Sequence, residues 1–581
     1  MKVKVTKSSA NIIAAILLGL AARGVTTAWA APATPAAGMV ATVQPLATDA
    51  GVDALRRGGN AVDAAVAAAL TLGVVDGYNS GIGGGCFILL RLADGSCAAI
   101  DGRETAPRGA TREMYIRDGK PQSNLSQTGP LASGVPGALA AYDTALRRWG
   151  RLKLADVLRP AADLAERGFL VTAAYEAKLR SEAKNLARFS GSRAVLLKSD
   201  GSPYAKGEIL KQPDLAKTYR AVAEQGIDWF YRGRFAQEVE RWMANHGGLL
   251  TAADFVAYQA RPREPLVTTY RGYTIVGFPP PSSGGVHVAE ILNILEPFDL
   301  QRLHREAPAK FYHVVAEAMK LAFADRAYWL GDPDFVPVPR GLVDKQYARQ
   351  LARRIDLDRV TPVPTHGRPP RTREDLFGGK HTTHIAVADA EGNWVAITAT
   401  INTTFGSKVI VPGTGVVLND EMDDFSIAPG VPNFFGLVGA EANAVAPGKR
   451  PLSSMSPTVV LQDGRPVLTL GAAGGPGIIT AVVMTLLYRL DLGMDLADAL
   501  ASPRIHHQWQ PDRLWVEAGL EPSILDALKQ LGHSVASTRS MSVGQAIGLA
   551  PDGRTFIGVH DPRVEGKAAG WSRSGAYTIE K

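Results

Sequence analysis

The clearest alternation of apolar and polar positions falls between residues 380 and 406, in KHTTHIAVADAEGNWVAITATINTTFG. Ile385 and Val387 alternate with small or polar residues, and the same period of two resumes at Trp394. Glu391-Gly392-Asn393 lies between the two runs and has the composition of a tight turn. Runs of period two on either side of such a turn are typical of a β-hairpin. The pattern therefore predicts two antiparallel strands, in a segment that is unusually rich in threonine.

A second pattern predicts a helix followed by a strand near the start of the mature chain. Asn60–Leu72 is rich in alanine and almost entirely apolar, which is typical of a buried helix. The glycine-rich stretch SGIGGGC, Ser80–Cys86, follows this helix and leads into the apolar run CFILLRL. A dinucleotide-binding glycine loop has the opposite order, because it follows a strand and opens a helix. The pattern therefore indicates a tight helix-to-strand connection and not a nucleotide site.

Three segments after residue 405 place polar or glycine-rich turns at the ends of predicted strands. LNDEMDDFS, Leu418–Ser426, crowds four acids beside an apolar strand, and KRPLSSMSPTVVL, Lys449–Leu461, places a serine pair in a turn before a strand. LTLGAAGGPGIIT, Leu468–Thr480, ends a strand in a glycine-rich turn from which a helix begins. Backbone N–H groups of such a turn can point at an oxyanion or a phosphate. Together these groups suit a ligand that resembles an amino acid.

The first 30 residues have the composition of an export signal. Lys2, Lys4 and Lys7 precede the short apolar run Ile12–Ala22, and Ala28-Trp29-Ala30 matches a small-x-small cleavage site. The apolar run is shorter than the roughly 20 residues that span a bilayer comfortably. We therefore expect cleavage after Ala30 and a periplasmic or secreted protein, with an uncleaved membrane anchor as the alternative.

Composition, charge and cysteine content narrow the function classes. The chain has 581 residues, 46% hydrophobic and 20% charged, as is ordinary for a globular enzyme. The net charge of the chain is +7, and the signal segment contributes four of these positive charges. The other basic residues are scattered along the chain, so the charge pattern gives no support for a nucleic-acid-binding function. Cys86 and Cys97 flank a predicted hairpin that turns at Asp94-Gly95 and places Cys97 opposite about Leu92. This register predicts two separate thiols, although an exported protein could form a disulfide.

Two further motifs lack the surroundings that their chemistry requires. His506-His507 in RIHHQW could bind a metal, but no cysteine or carboxylate lies at a supporting spacing, so a packed or surface pair is the stronger interpretation. PPPSSGG, Pro279–Gly285, predicts a rigid turn before the apolar helix Val286–Leu295, with a structural role unless its serines face a cavity. The sequence also contains no G-x-S-x-G nucleophile elbow.

Nearly the whole mature chain carries, in order, the motifs of one enzyme family. They are GGNAVDAAVA, IDGRETAP, LASGVPG, YRGYTIVGFPPPSSGG, ADRAYWLGDPDF, TTHIAVADAEGNWVAITATINTTFG, NDEMDDF, GKRPLSSMSP and GGPGIIT. On these motifs the sequence resembles the γ-glutamyltranspeptidases (γ-glutamyltransferases) of the bacterial exported type, members of the N-terminal-nucleophile hydrolase superfamily. The resemblance implies an α/β (α+β) fold, a four-layer αββα sandwich.

The resemblance also implies a precursor that cuts itself between His381 and Thr382. The large subunit would then span residues 31–381 and the small subunit residues 382–581, and the two would form one folded heterodimer. Thr382 would carry both the nucleophilic hydroxyl and a free α-amino group, whose pKa of about 7.7–8.0 suits a base near neutral pH. Thr400, on the partner strand, is implied to orient Thr382, and the other threonines are mainly β-formers.

By the same resemblance the reaction is acyl transfer in two steps, with no metal and no organic cofactor. Thr382 would attack the γ-carbonyl of glutathione or another γ-glutamyl compound, and the ester would pass the γ-glutamyl group to water, an amino acid or a peptide. The N–H groups of Gly474 and Gly475 are implied to form the oxyanion hole. The residues implied to hold the substrate are Arg103, Ser453 and Ser454 for the α-carboxylate, and Asn402, Glu421 and Asp424 for the α-ammonium.

Two alternatives stand beside a γ-glutamyl hydrolase and transferase: a related cephalosporin (glutaryl) acylase, and an inactive protein that binds glutamyl compounds. The Gly/Pro-rich segment Pro429–Ala444 resembles the lid loop of bacterial family members, which many of the acylases lack. The presence of Thr382 and Thr400 argues against an inactive protein. The sequence departs from the family pattern at Ala386, where serine or threonine is usual, and at Pro476 after the glycine pair.

Overall fold

Two antiparallel β-sheets form the centre of the protein. The computed structural model describes residues 37–370 and 384–572, together with the backbone of the strand Gly575–Thr578. The first sheet has eight strands in the spatial order Gly575–Thr578, Lys567–Ser572, Gly38–Thr42, His384–Asp389, Trp394–Thr400, Gly85–Arg91, Cys97–Gly102 and Arg261–Arg263. The second has six, in the order Phe556–His560, Val543–Leu549, Arg465–Ala473, Thr458–Gln462, Tyr273–Gly277 and Leu266–Tyr270.

The two sheets pack face to face, and helices cover their outer faces. Between the sheets, the rings of Phe87 and Phe278 stack with their centroids 4.2 Å apart. The helices on the first sheet are Pro45–Arg56, Ala61–Val75, Ala138–Trp149 and Leu154–Arg167. Those on the second sheet are Gly284–Leu295, Pro308–Trp329 and Gly477–Leu486. The four-layer αββα sandwich predicted from the sequence is therefore confirmed.

The remaining elements decorate this sandwich. The other helices are Ser123–Gln127, Ala173–Leu186, Ser190–Leu196, Pro213–Gln225, Asp228–Tyr231, Arg234–His246, Ala252–Ala257, Leu300–Glu306, Lys345–Ala352, Leu496–Ala501 and Pro522–Gln530. Short 3₁₀ turns span Arg340–Val343, Glu421–Asp424 and Glu441–Asn443, and a π-helical turn spans Leu487–Asp491. The small strands are Ile116–Arg117, Lys120–Pro121, Phe169–Leu170, Ile209–Leu210, Ile505–His506, Leu514–Glu517 and Val535–Thr538.

The predicted hairpin lies in the middle of the first sheet. His384–Asp389 pairs with Trp394–Thr400 in the register His384 to Thr398, which confirms the predicted pair of strands. Every residue of both strands is buried, because further strands pair with each edge and both faces are covered. Val395 packs towards the helices and Ala396 towards the second sheet. The alternation in the sequence thus separates large from small buried residues.

The glycine-rich connection before Cys86 lies directly against the end of the central hairpin, at Thr400. The helix Ala61–Val75 is capped by the Asn60 side chain, and the chain then passes through the glycines into Gly85–Arg91, as predicted. A Cβ atom on Gly84 would overlap the carbonyl oxygen of Thr400. Only glycine therefore permits this close approach.

The two cysteines are separate free thiols, as predicted. Cys86 is buried opposite Gly102, and Cys97 is half-buried opposite Arg91, one residue from the expected position. The two cysteines thus lie near opposite ends of their hairpin.

The acid-rich segment is not preceded by a strand, so this part of the sequence interpretation is wrong. Residues 409–418 contain only an isolated bridge between Ile410 and Val417, and the acids lie on the 3₁₀ turn Glu421–Asp424. The glycine turns at Gly413 and Gly415, both at positive φ, interrupt the extended backbone there.

The predicted signal segment, residues 1–30, lies outside the described residues. Within residues 37–370 and 384–572, no helix combines the length and the apolar composition that a membrane crossing requires.

Candidate active site

An arginine surrounded by carboxyl groups forms the most heavily charged buried part of the site. Arg103 follows directly after the strand Cys97–Gly102, and its side chain is fully buried. Its Nη1 lies 2.5 Å from Glu421 Oε2, and its Nη2 donates to Asp424 Oδ2 at 2.7 Å. Glu104 lies farther away, with its Oε2 3.7 Å from Nε. The short 3₁₀ turn brings Glu421 and Asp424 to the same guanidinium, although these residues are far from Arg103 in sequence.

One guanidinium does not neutralise three carboxylates. Burial by itself lowers the pKa of Arg103, but Glu421 and Asp424 outweigh this effect and raise the pKa, so Arg103 is charged. Burial also raises the pKa of Glu421 well above its usual range; Arg103 opposes the shift, and Glu104 and Asp424 add to it. The arrangement favours the arrival of another cation, such as an ammonium group.

A second buried arginine lies beside the serine pair, and sequence reasoning missed it. Arg326 is in the long helix Pro308–Trp329; its Nε donates to Ser283 Oγ at 2.9 Å and its Nη2 to Ser454 Oγ at 3.2 Å. Burial lowers the pKa of Arg326 to about 10, against the pull of Asp424, which leaves the side chain charged at neutral pH. The motif ADRAYWLGDPDF contains Arg326, but the helix carries other charged residues, among them Glu317 and Lys320, so the sequence did not single this arginine out.

The PPPSSGG turn supports the serine pair. Ser282 Oγ donates to the carbonyl of Met455 at 2.6 Å, and the Ser283 N–H donates to the carbonyl of Ser453 at 2.7 Å. Ser453 Oγ accepts from the N–H of Met455 at 3.2 Å. The predicted turn therefore has a role beyond starting a helix, because it fixes the loop that carries Ser453 and Ser454.

Asn402 and Thr400 lie at the end of the hairpin. Asn402 has a left-handed backbone, with φ 74°, which asparagine tolerates better than most residues. Its N–H donates to Thr400 Oγ1 at 2.7 Å, and its Nδ2 donates to the carbonyl of Asp420 at 3.0 Å. The second bond ties Asn402 to the residue that precedes Glu421, which brings the predicted ammonium-binding residues together.

The glycine pair forms the turn between the strand Arg465–Ala473 and the helix Gly477–Leu486, as predicted. Gly474 and Gly475 have φ values of 134° and 56°, where a side chain is strained. Pro476 occupies the N-cap position of the helix, so this departure from the family pattern fits the local structure.

The start of the hairpin lies at the same edge of the sandwich as the glycine pair. A Cβ atom on Gly471, three residues before Gly474, would overlap the ring of His384, the first described residue after the gap. Burial lowers the pKa of His384 to about 3, so this histidine is neutral near pH 7.

The predicted lid loop closes over both parts of the site. Asn433 Nδ2 donates to Asp424 Oδ1 at 3.1 Å, and the N–H of Phe434 donates to Asp423 Oδ2 at 2.8 Å. The ring of Phe435 lies against Gly475, where a Cβ atom would overlap it. One loop therefore touches both the carboxylate cluster and the glycine pair. The sequence identified the loop but not these contacts.

Contacts of the lid link Asp424 with Gly475, and Arg326 binds the serine loop at Ser454. His381 and Thr382, the predicted cleavage site and nucleophile, lie outside the described residues. Ala386, the other departure from the family pattern, is buried in the strand His384–Asp389.

The histidine pair is packed, as the sequence favoured. His506 Nδ1 lies 3.1 Å from Thr480 Oγ1 and its Nε2 lies 3.0 Å from Gln508 Oε1, while His507 Nε2 lies 3.1 Å from Asp512 Oδ1. Among the residues that the structure describes, no cluster of three or more His, Cys, Asp or Glu side chains has the arrangement of a metal site.

Comparisons with known proteins identify related sequences. Residues 47–571 match the family described as gamma-glutamyltranspeptidase. The glutathione hydrolase proenzyme of Escherichia coli (strain K12) is 45% identical over 538 residues, which cover 92% of each chain.

Two solved structures share the fold. The cephalosporin acylase from Bacillus halodurans superposes with a TM-score of 0.81 at 28% identity, covering 95% of this chain and 100% of the other. The γ-glutamyltranspeptidase of Helicobacter pylori superposes with a TM-score of 0.54 at 40% identity, covering 55% of this chain and 92% of that chain. A structure named as an acylase and one named as a transpeptidase therefore share this architecture.

Proposed function

The chain belongs to the gamma-glutamyltranspeptidase family, and from this premise we propose that it is a glutathione hydrolase and γ-glutamyltransferase. It cleaves the γ-glutamyl bond of glutathione and related compounds. The observation that carries this proposal is the pairing of buried Arg103 with Glu421 and Asp424, under a lid that also reaches the glycine pair. Such a site offers both charges that a glutamyl α-carbon requires.

We assign the two charged ends of the glutamyl group to opposite sides of this cluster. Arg103 takes the α-carboxylate through guanidinium N–H groups that do not face Glu421 and Asp424, since a guanidinium has five such donors, and Ser453 and Ser454 add hydroxyl donors. Glu421 and Asp424, with the Asn402 side chain, take the α-ammonium. More carboxylates than cations surround Arg103, and this excess favours binding of the α-ammonium, because the ammonium supplies the missing positive charge.

The nucleophile is assigned to Thr382 after cleavage of the His381–Thr382 bond. The ladder pairs His384 with Thr398. We assign to Thr400, two residues beyond Thr398, the role of orienting Thr382; the Thr400 hydroxyl already accepts a hydrogen bond from the N–H of Asn402. The free α-amino group of Thr382 serves as the base, a role that neutral, buried His384 does not need to fill.

The reaction then proceeds through an ester. The Thr382 hydroxyl gives its proton to the α-amino group and attacks the γ-carbonyl carbon, while the N–H groups of Gly474 and Gly475 stabilise the oxyanion. The C–N bond breaks, and the departing amine takes the proton. Water or an acceptor amine next attacks the ester, and Thr382 Oγ regains a proton as it leaves. One oxyanion-hole donor is typically worth about 3–4 kcal/mol of transition-state stabilisation.

The carboxylate cluster also favours a γ-glutamyl compound over a glutaryl compound. A glutaryl group has no α-ammonium, so it would leave Glu421 and Asp424 without an added cation in a buried site. The Asn433 bond from the lid to Asp424 points to the same preference, since the lid closes on the carboxylate that would hold the ammonium.

Processing and export complete the proposal. Cleavage before Thr382 yields a large subunit of residues 31–381 and a small subunit of residues 382–581, which remain together because strands from both alternate within the first sheet. The signal segment directs the protein to the periplasm or outside the cell.

A denaturing gel with intact masses, combined with hydrolysis of a γ-glutamyl anilide, tests this function. We expect two fragments that sum to the mature chain, and release of the aniline. A single uncut chain without hydrolysis would contradict the proposal, and faster hydrolysis of a glutaryl anilide would favour the acylase.

Asp424→Ala should lower kcat/KM for glutathione while leaving self-cleavage largely intact. The substitution removes a charge-assisted hydrogen bond to the substrate ammonium, worth about 1.5–3 kcal/mol, which corresponds to a loss of roughly 10- to 150-fold. Steady-state kinetics and the fragment masses measure the two effects.

Asp423→Ala is the matched control. It removes the neighbouring carboxylate, which binds the lid N–H of Phe434 and the hydroxyl of Ser126 and makes no ion pair with Arg103. We expect a smaller loss than for Asp424→Ala. Near-normal efficiency of Asp424→Ala with glutathione would refute the assignment of Asp424.

A further inference from the structure

A cavity of about 340 Å³ adjoins the glycine pair on the small-subunit side. Its walls include the lid residue Phe435 together with Gly474, Pro476, Trp515 and Met541. This volume lies at the lower end of the range for small-molecule sites, about 300–1,000 Å³. The cavity therefore has room for one amino-acid side chain next to the proposed oxyanion hole.

The walls of the cavity are largely apolar and carry no formal charge. Within the described part of the chain, no lysine, arginine or acid lines it. Burial lowers the pKa of His506 to about 4, so its ring is neutral near pH 7, and both ring nitrogens already have partners in Thr480 and Gln508. Gln508 Nε2 in turn donates to the carbonyl of Phe435 at 3.3 Å. The polar groups at the cavity are thus engaged with one another, and the open surface is suited to apolar groups.

The position of the cavity identifies which part of a substrate could enter it. None of the proposed glutamyl-binding residues lines the cavity, whereas Gly474 belongs to both the cavity and the proposed oxyanion hole. A carbonyl carbon at the glycine pair carries two substituents, the glutamyl chain and the group that leaves or attacks. Since the glutamyl chain is directed to Arg103, the cavity is left for the amine.

We propose that this cavity is the subsite for the amine partner, and that it selects acceptor amino acids with apolar or aromatic side chains. This inference rests on the proposed function. The neutral acceptor amine attacks the carbonyl carbon of the Thr382 ester; a C–N bond forms, the C–Oγ bond breaks, and the amine proton passes to Thr382 Oγ. The acceptor side chain packs against Trp515, Met541 and Phe435.

One wall residue of the cavity, Trp515, carries a cation that is a candidate partner for the carboxylate of the acceptor. The guanidinium of Arg513 lies over the Trp515 ring, 5.7 Å from its centroid. A cation held on an aromatic ring remains free to bind an anion at its edge. An amino acid with its side chain in the cavity would therefore place a carboxylate near a positive charge.

A competition assay tests the proposal. The cut enzyme receives a γ-glutamyl anilide with equimolar phenylalanine and glycine, and the ratio of the two γ-glutamyl products is measured. Because both acceptors attack the same ester, this ratio is independent of donor binding and of the first step. Trp515→Ala should lower the phenylalanine-to-glycine ratio at least about tenfold, since the loss of apolar contact in a pocket changes selectivity on that scale.

Trp149→Ala is the matched control, because Trp149 also carries an arginine over its ring, Arg148 at 5.8 Å, but lies on the large-subunit helix Ala138–Trp149. Its ratio should equal that of the wild type. Met541→Ala should lower the ratio in the same direction as Trp515→Ala, and it replaces that variant if Trp515→Ala does not fold.

Each outcome is decisive. An unchanged ratio in a cut and active Trp515→Ala or Met541→Ala overturns the subsite. A wild type that hydrolyses the donor but forms neither product overturns the subsite and leaves the hydrolase function standing. A wild type without hydrolysis overturns the proposed function and the inference with it.

Discussion

Thr382→Ala should yield a folded, uncut chain without measurable γ-glutamyl hydrolysis. The hydroxyl is required twice, first to attack the carbonyl of His381 during self-cleavage and then to attack the substrate. The α-amino base is also absent without cleavage, since residue 382 then remains in a peptide bond. Both losses act together, so we expect activity to fall by at least about a thousandfold, to the background of the assay.

Two neighbouring substitutions sharpen this test. Thr382→Ser keeps the hydroxyl but loses the methyl group that restricts χ1, so it should cleave and turn over slowly. Thr383→Ala should still be cut before residue 382, because the proposed self-cleavage requires the hydroxyl of Thr382 and not that of Thr383. The N-terminal sequence of the small fragment in each variant shows which residue follows the cleaved bond. A fragment that begins at Thr383, or hydrolysis by Thr382→Ala, would show that the nucleophile is another residue.

Arg103→Lys should lower kcat/KM for γ-glutamyl donors by at least about a hundredfold. Arg103 is fully buried, and two different nitrogens of its guanidinium lie against Glu421 and Asp424. A lysine keeps the charge, but its single ammonium group does not reproduce the planar fork. Disturbing a buried, hydrogen-bonded ion pair typically costs about 3–5 kcal/mol when a partner is left uncompensated.

The choice of donor separates binding from stability in this variant. A donor without the α-carboxylate should be a poor substrate of the wild type and should lose relatively little on substitution. Arg112→Lys is the control, since Arg112 also binds a glutamate, Glu441, through two nitrogens, but at the protein surface. We expect almost no change there, as exposed ion pairs contribute about 0–1 kcal/mol. Equal losses with both donors would assign Arg103 a structural role.

The hairpin shows how far local sequence reasoning reaches. Alternation around Gly392 was sufficient to predict both strands, and the turn glycines Gly474 and Gly475 were sufficient to predict a strand that ends where a helix begins. These features depend on backbone preferences of a few adjacent residues. The prediction of a strand before the acid-rich turn was wrong. Residues 409–418 are apolar enough for a strand, but glycines at positive φ within them interrupt the extended backbone.

The sequence by itself determined the strands of the central hairpin, the glycine turns and, through its ordered motifs, the family and the αββα sandwich. The tertiary structure alone decided which charged groups meet. Arg326 beside Ser454, Asn433 on Asp424 and Phe435 on Gly475 join residues that lie on different elements. Local propensity and periodicity report only on neighbours along the chain. These contacts arise when the packed layers bring distant segments together, and burial favours the pairing of the polar groups that meet there.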